Sequence, residues 1–285
     1  MNSAKIIKDI KSLKIQGAQN IALKAVDALE LELDKPGNTS AGLEKTKKAL
    51  IDARPTEPCL RNVIRYIFSS EQKGFLEKIS DVRQYFNESE KKITGYGNKK
   101  IRKSSIIYTH CHSGTVVKIL LKAKSKLKYV NNTETRPLYQ GRLTATELAK
   151  HNVCVNHYID SAMKEAIKES DAIFIGADAI ISDNFIVNKI GTGIIGELAH
   201  KFEIPLYVCA CAYKFDAESL AGFTEPIEMR SATEIWKNPP QNVKIHNKAF
   251  EFLPGKFITA IISELGVLSF DCFIEETTQK YPWML

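Results

Sequence analysis

Ile173-Phe174-Ile175-Gly176-Ala177-Asp178-Ala179-Ile180, followed by Val187-Asn188-Lys189-Ile190-Gly191-Thr192-Gly193, is the stretch on which the fold class turns. An apolar run long enough for a buried strand ends in a lone carboxylate, Asp178. A short polar interruption, Ser182-Asp183-Asn184, follows, and then Asn-Lys and a Gly-Thr-Gly that opens an apolar helix. A strand that delivers an acid, beside a helix start able to hold an anion, is the layout of a small-molecule site on an α/β sheet. Standing alone, Asp178 reads as a turn former at a strand end.

Working outward, the same texture extends in both directions. Ser105 to Thr109 is a β-branched strand, and Gly114 to Lys126 is the helix after it. Tyr129 to Asn131 and Val153 to Ile159 are further strands, and Asp160-Ser161 starts a helix. Thr144-Ala145-Thr146-Glu147 has the spacing of a capping box at a helix start. A helix from Gly191 to Phe202 leads through Pro205 into a strand from Leu206 to Cys211, and Ile258 to Ser263 completes the sheet. Strands alternating with helices indicate a parallel sheet. Before Ser104 the pattern is helical: Ile6, Ile7, Ile10 and Leu13 recur at helical spacing, as do Ile21 to Leu33 within a second helix from Ala18. The loop Pro36–Ser40 precedes a third helix that Arg54-Pro55-Thr56-Glu57-Pro58 ends. A fourth amphipathic segment follows, then a charged helix from about Gln72 to Thr94, with Gly95-Tyr96-Gly97 as its boundary. The chain is therefore expected to be α/β, helical over its first hundred residues and built on a parallel sheet beyond Ser104.

Composition narrows the function classes. The chain of 285 residues is 44% hydrophobic and 26% charged, which is ordinary for a globular protein. No segment has the apolar length of a membrane span, and Met1-Asn2-Ser3-Ala4-Lys5 lacks the core of a signal peptide. Six cysteines without CxxC or framework spacing suit reduced thiols, so a cytoplasmic protein with no membrane contact is expected. The net charge of +7 suggests anionic partners. Its lysines are dispersed and carry no zinc-finger or aromatic RNA-binding signature, so phosphorylated small molecules are expected rather than nucleic acid.

Three strand ends converge in an open parallel sheet, because ligands bind beyond the carboxyl ends of the strands. These ends supply His110-Cys111-His112-Ser113, Asp178 and Tyr213-Lys214. Between a strand and a helix start, Cys111 is placed where thiolates are favoured. His110 and His112 flank it, but adjacent strand residues cannot all turn to one ion, so no metal is expected. Asp178, desolvated by apolar neighbours, should have a raised pKa. A thiol and a carboxylic acid facing one substrate suit the movement of hydrogen between adjacent carbons. Arg54 and Arg136 are each pinned before a proline. Asn188 and the backbone of Gly191-Thr192-Gly193 have the character of a cradle for phosphate or sugar hydroxyls.

Taken in order, Ile15-Gln16-Gly17-Ala18, Arg54-Pro55-Thr56, Thr109–Ser113, Thr133-Glu134-Thr135-Arg136-Pro137, Gln140-Gly141, Asp160-Ser161-Ala162, Gly176-Ala177-Asp178, Asn188–Thr192 and Tyr213-Lys214-Phe215 form a specific set. The set resembles the superfamily that unites ribose-1,5-bisphosphate isomerases, methylthioribose-1-phosphate isomerases and the regulatory subunits of initiation factor 2B. His-Cys-His-Ser, Glu228-Met229-Arg230 and Asn247-Lys248-Ala249-Phe250 are most similar to the first of these. The resemblance implies an aldose–ketose isomerase that converts ribose 1,5-bisphosphate to ribulose 1,5-bisphosphate in nucleotide (AMP) salvage or degradation, without a redox cofactor. It implies Cys111 and Asp178 as the catalytic pair. Gln16, Gly17, Ala18, Arg54, Ser113, Gln140, Asn188, Lys189 and Lys214 would line the substrate and its phosphates. It also implies a helical N-terminal domain over residues 1–100 on a Rossmann-like parallel-sheet domain over 101–285 that carries the active site, and a homodimer, or a hexamer of dimers, paired through the C-terminal domains. The isomerases usually carry Arg-Gly-Ala where this chain has Gln16-Gly17-Ala18, and neutral glutamine does not replace arginine's planar charged fork. That departure keeps two alternatives open. One is a non-catalytic regulatory subunit that binds sugar phosphates or nucleotides and contacts initiation factor; the other is a methylthioribose-1-phosphate isomerase.

Overall fold

The computed structural model describes residues 2–37, 39–70, 73–223 and 226–285. Met1, Asn38 of the expected Pro36–Ser40 loop and Gln72, the expected start of the charged helix, lie outside the described residues.

The helical region comprises α1 (Ser3–Lys11), α2 (Ala18–Leu33), α3 (Ser40–Ala53), α4 (Pro58–Ile67) and α5 (Phe75–Lys100). Each start has a local cause. The Asn2 side chain accepts from the Lys5 amide at 2.9 Å, and Thr39 accepts from Gly42. Pro58 stands in the first turn of α4, where its missing donor is harmless. The repeat seen in the sequence of α2 buries Ile21, Ala22, Ala25, Val26 and Leu29.

Beyond residue 101, helices and strands alternate. The strands are β1 (Ser105–Thr109), β2 (Leu127–Thr133), β3 (Val155–Tyr158), β4 (Ala172–Ile175), β5 (Ala179–Ile181), β6 (Phe185–Lys189), β7 (Leu206–Cys209), β8 (Phe215–Asp216), β9 (Phe250–Pro254), β10 (Ala260–Ser263) and β11 (Gly266–Leu268). Between and after them come α6 (Gly114–Lys122), α7 (Gln140–Lys150), α8 (Met163–Lys168), α9 (Thr192–Lys201) and α10 (Phe270–Lys280). Among the described residues, a seven-stranded sheet runs β3-β2-β1-β4-β7-β10-β11, parallel except for the antiparallel edge strand β11. The strand order reverses between β1 and β4, where Ile107 pairs with Ala172 and Tyr108 with Ile173. Such a switch point leaves a crevice beyond the carboxyl ends of two adjacent strands. Tyr108 and Phe174, on these central strands, are completely buried.

The strand that ends in Asp178 is β4, with Asp178 just beyond its end as expected. Three expectations change. Ile258–Ser263 does not complete the sheet, because β11 follows at its edge, and a second, four-stranded sheet ordered β8-β5-β6-β9 holds the β5–β6 hairpin that comes after Asp178. Asp178 sits in the link between the two sheets. The Gly95-Tyr96-Gly97 boundary also moves, because α5 continues to Lys100. A Cβ on Gly97 would stand 2.6 Å from Ile119 Cδ1, so this glycine lets α6 pack closely against α5. Third, α7 begins at Gln140, so Thr144 lies inside the helix and caps nothing.

The helical region is tied to the sheet by a buried side chain. Asn62 Nδ2, on α4, donates to the carbonyls of Tyr213 at 3.0 Å and Phe215 at 2.8 Å. Replacing Asn62 by Leu would leave both buried carbonyls short of a donor. Asn62→Leu is expected to lower unfolding free energy by about 1–3 kcal/mol in urea titrations. A change near zero would show that this tie does not hold the two regions together.

Candidate active site

A cavity of about 630 Å³ lies between the helical region and the carboxyl ends of the strands. The α1–α2 link and the Arg54–Glu57 turn form one wall; the ends of β1, β4 and β6 and the turn after β7 form the other. Cys111, Asp178, Gln16, Gly17, Ala18, Arg54, Ser113, Gln140, Asn188, Lys189 and Lys214 all line it. These residues come from separate segments because the switch point sets β1 beside β4. A Cβ on Gly176 would stand 2.9 Å from Ser113 Oγ, so a glycine there allows the two strand ends to approach.

Cys111 is held by its backbone. It adopts φ 63°, in the left-handed region. Its amide donates to Thr135 Oγ1 at 3.0 Å, and its carbonyl accepts from Thr144 Oγ1 at 2.8 Å. Thr144, read from the sequence as a helix cap, instead anchors this residue. The flanking imidazoles are structural. His110 Nε2 lies 2.9 Å from the Ile190 carbonyl, which can only accept, so Nε2 carries the hydrogen and Nδ1 accepts from Thr133 Oγ1 at 2.8 Å. Burial holds its pKa below the ordinary value, in keeping with a neutral ring. His112 Nδ1 lies 3.0 Å from Thr144 Oγ1, whose hydrogen goes to the Cys111 carbonyl, so Nδ1 is the donor.

The thiolate expected from the neighbouring helix start is not favoured. Burial pushes the Cys111 thiol up to about 11, with Asp178 and Asp160 adding to the rise and Lys189 opposing it. At neutral pH Cys111 therefore carries its proton. Asp178 follows the direction read from sequence. Burial raises its pKa, Lys214, Lys189 and Arg54 pull it back, and Glu228 adds to the rise. Its amide donates to the Val187 carbonyl at 2.9 Å. Its carboxyl oxygens make no hydrogen bond among the described residues.

Two cations stand ready near this pair. Lys214 Nζ donates to the Ala177 carbonyl, and Lys189 Nζ lies 4.4 Å from the centre of the Phe250 ring. Neither makes an ion pair among the described residues. Lys214 is placed from behind. Glu264 accepts from the Ala212 amide at 3.1 Å and from Tyr85 Oη at 2.6 Å, and the Tyr85 ring stacks on Tyr213 at 3.7 Å.

Other expected ligands are occupied. The helix start at Gly191-Thr192-Gly193 already holds an anion, the protein's own. Glu251 Oε1, on β9, accepts from Gly191 N at 2.6 Å and Gly193 N at 2.8 Å, so this backbone is no phosphate cradle. Asn188 Nδ2 donates to Thr192 Oγ1 at 3.1 Å. Gln16 Nε2 donates to the Leu13 carbonyl at 2.7 Å, within its own link. Arg54 is paired with Glu57 at 3.0 Å and with Glu228 at 3.4 Å.

Glu57, Glu228 and Arg230 also line the cavity and were not singled out as site residues from the sequence. Glu57 had a local signal, since it follows Arg54 by three positions between two prolines. Glu228 and Arg230 lie on the loop before β9, and only the tertiary fold brings them to the cavity.

The family described as the Initiation factor 2 subunit family matches residues 14–270 of the chain. A ribose 1,5-bisphosphate isomerase from Thermococcus kodakarensis is 32% identical, covering 98% of this chain and 95% of that protein. Among solved structures, a translation initiation factor eIF-2B from Pyrococcus horikoshii superposes with a TM-score of 0.81 at 26% identity, over 94% of this chain and 96% of that one. A 5-methylthioribose 1-phosphate isomerase from the same organism gives a TM-score of 0.77 at 25% identity, over 98% and 88%.

A thiol titrating near 11 rather than at an ordinary ~8.5 has roughly two-hundredfold less thiolate at pH 8. Iodoacetamide should therefore label Cys111 about two hundred times more slowly than an unperturbed thiol, with the rate still climbing above pH 9. Peptide-resolved mass spectrometry separates this from the exposed Cys154 and Cys272. Labelling of Cys111 as fast as Cys154 would contradict the protonated thiol.

Proposed function

This chain belongs to the initiation factor 2 subunit family, and from that premise we propose that it is an aldose–ketose isomerase converting ribose 1,5-bisphosphate to ribulose 1,5-bisphosphate. The observation that carries the reading is the pairing of Cys111 and Asp178 at adjacent strand ends, in a cavity that also holds two lysines without carboxylate partners among the described residues.

Opening the ribose ring breaks the bond between C1 and the ring oxygen, and that oxygen needs a proton. Cys111, protonated at neutral pH, is the acid assigned to it. The C2 hydrogen then moves with its electron pair to the electron-deficient C1, and the C2 hydroxyl loses its proton as the ketone forms. Asp178 is assigned as the base for that proton. Its raised pKa makes it a stronger base than an ordinary aspartate, while Lys189 and Lys214 keep its ionised form accessible. One proton enters at the ring oxygen and one leaves at the C2 oxygen, so the step balances as an isomerisation. Lys189 and Lys214 are the phosphate ligands in this reading, and Gln16, Gly17, Ala18, Ser113, Gln140 and Asn188 shape the walls. Arg54 is a phosphate ligand once it is released from its carboxylate partners.

The same reading treats residues 1–100 as a helical domain docked on a Rossmann-like domain of 101–285. It also carries a cytoplasmic location and a homo-oligomer, a dimer or a hexamer of dimers. The cysteines are all free, and among the described residues no helix is long and apolar enough to cross a membrane. Exposed apolar residues on the loop before β9, Met229 and Trp236 among them, support self-association. A methylthioribose-1-phosphate isomerase accommodates one phosphate and an apolar methylthio group. The number of cationic side chains in this cavity favours a bisphosphate instead.

One observation favours a second reading, a non-catalytic regulatory subunit. Gln16 is neutral and turned to Leu13, and Arg54 is paired, so two of the expected phosphate anchors are weakened. A pull-down that recovers no initiation-factor subunit counts against that role.

Purified protein given ribose 1,5-bisphosphate is expected to form ribulose 1,5-bisphosphate. Cys111→Ser and Asp178→Asn should each lower kcat by about 10²–10⁴-fold, the range for loss of a general acid or base. No turnover by the unmodified protein sinks the isomerase reading, and full activity in both variants sinks the site assignment.

A further inference from the structure

The turn Arg54-Pro55-Thr56-Glu57-Pro58 carries a buried carboxyl to which the reaction assigns no step. Glu57 is 3% exposed and Arg54 8%. Arg54 Nη2 donates to Glu57 Oε1 at 3.0 Å, and Nη1 lies 3.4 Å from Glu228 Oε2. Left over are Arg54 Nε and Glu57 Oε2, both buried and without a hydrogen-bond partner. Glu57 stands at the N-cap of α4 yet makes no side-chain capping bond. A buried polar atom without a partner has given up its hydrogen bonds to water and gained nothing in return. The pair is thus held in an arrangement that a further charge or a proton would relieve.

The charges around it are specific. Arg54 faces Glu57 on its own turn and Glu228 from the loop before β9. Glu57 in turn faces Asp178 in the β4–β5 link and Lys214 in the turn after β7, while Cys59 lies close by on α4. A phosphate entering the cavity adds negative charge beside three carboxyls. To grip it with a planar fork, Arg54 must be let go by a carboxylate partner. A carboxylate does this by taking up a proton, and Glu57 is near that point. Burial and then Asp178 raise its pKa to about 7, against the pull of Arg54.

We propose that Glu57 is a proton-gated counter-ion of Arg54: ionised, it holds the guanidinium in the free protein, and protonated, it releases Arg54 to a phosphate of the substrate. Glu57 is a positioning residue that acts through Arg54, and the proposal rests on the sugar-phosphate reading of the cavity. Binding moves Arg54 toward phosphate and sets a dianion near Glu57, so the pKa of Glu57 rises above its free value. Proton uptake is therefore expected from about pH 7 upward, until the pH passes the bound pKa. At pH 8 free Glu57 is mostly ionised. Phosphate esters, with a second pKa near ~6, are already dianions there and contribute little.

The test is calorimetric titration with ribulose 1,5-bisphosphate at pH 8 in two buffers of unlike ionisation enthalpy. Any heat of isomerisation is common to both buffers and cancels in the difference. The unmodified protein should take up close to one proton per site, and its affinity should fall about tenfold per pH unit above 7. Glu57→Gln, checked as folded by its thermal transition, should take up almost none and show flat affinity over the same range. Glu228→Gln, which leaves Glu57 in place, should retain the uptake. Equal uptake by the unmodified protein and Glu57→Gln assigns the proton to Asp178 or another group and overturns the proposal. So does tight binding by the unmodified protein with no uptake, or loss of uptake in Glu228→Gln alone. Failure to bind the bisphosphate at all overturns the proposal together with the phosphate reading. Proton-coupled binding without turnover counts against the isomerase reading alone and supports the role of Glu57.

Discussion

Charge taken out of water at the ends of β1 and β4 is the constraint on which the rest of the structure depends. Burial there raises the pKa of Cys111, Asp178 and Glu57 alike. An ionised group in such a place needs a counter-charge or must stay neutral. The surrounding elements deliver the counter-charges: Lys189 from the end of β6, Lys214 from the turn after β7 and Arg54 from the end of α3. Much of the rest of the architecture fixes these three. Asn62 ties α4 to the Lys214 turn, Glu264 and Tyr85 support that turn from behind, and Glu251 closes the helix start beside Lys189.

The result is a division of labour between charges that are committed and charges that are not. Arg54, Arg230 and the α9 start are answered by the protein's own carboxylates. Among the described residues, Lys189 and Lys214 are not. A ligand that carries phosphate would meet those lysines directly and would have to compete for the others. Neutral Gln16, turned toward Leu13, adds no charge to the contest. The cavity thus depends on the balance within its own wall as much as on the number of cations.

How much of this was legible in the sequence depends on how local each cause is. The bounds of α2 and β1 follow from repeat and β-branching, and the structure reproduces both. Cys111 and Asp178 could be paired because strand ends in a parallel sheet share an edge, whatever their separation in sequence. Where the cause lay elsewhere in the chain, the reading failed. Glu251 occupies the Gly191–Gly193 amides from about sixty positions away, and no feature of the glycines announces it. Thr144 has a capping-box spacing, but the fold gives its hydroxyl to the Cys111 carbonyl. Gly97 resembles a helix end and is a packing glycine, set by Ile119 across the α5–α6 contact. The β5–β6 hairpin was hidden because Ala179-Ile180-Ile181 is a short apolar run close behind β4, while β8 and β9, which complete its sheet, lie far along the chain.

The most direct measurement is a crystal structure of Cys111→Ala soaked with ribose 1,5-bisphosphate. The sugar is expected in the cavity between the two regions. Its C1 and C2 should lie beside residue 111 and the Asp178 carboxylate, with phosphate oxygens within ion-pair distance of Lys189 and Lys214. Density for the bisphosphate elsewhere, or in the cavity with its first two carbons turned away from Asp178, would contradict it.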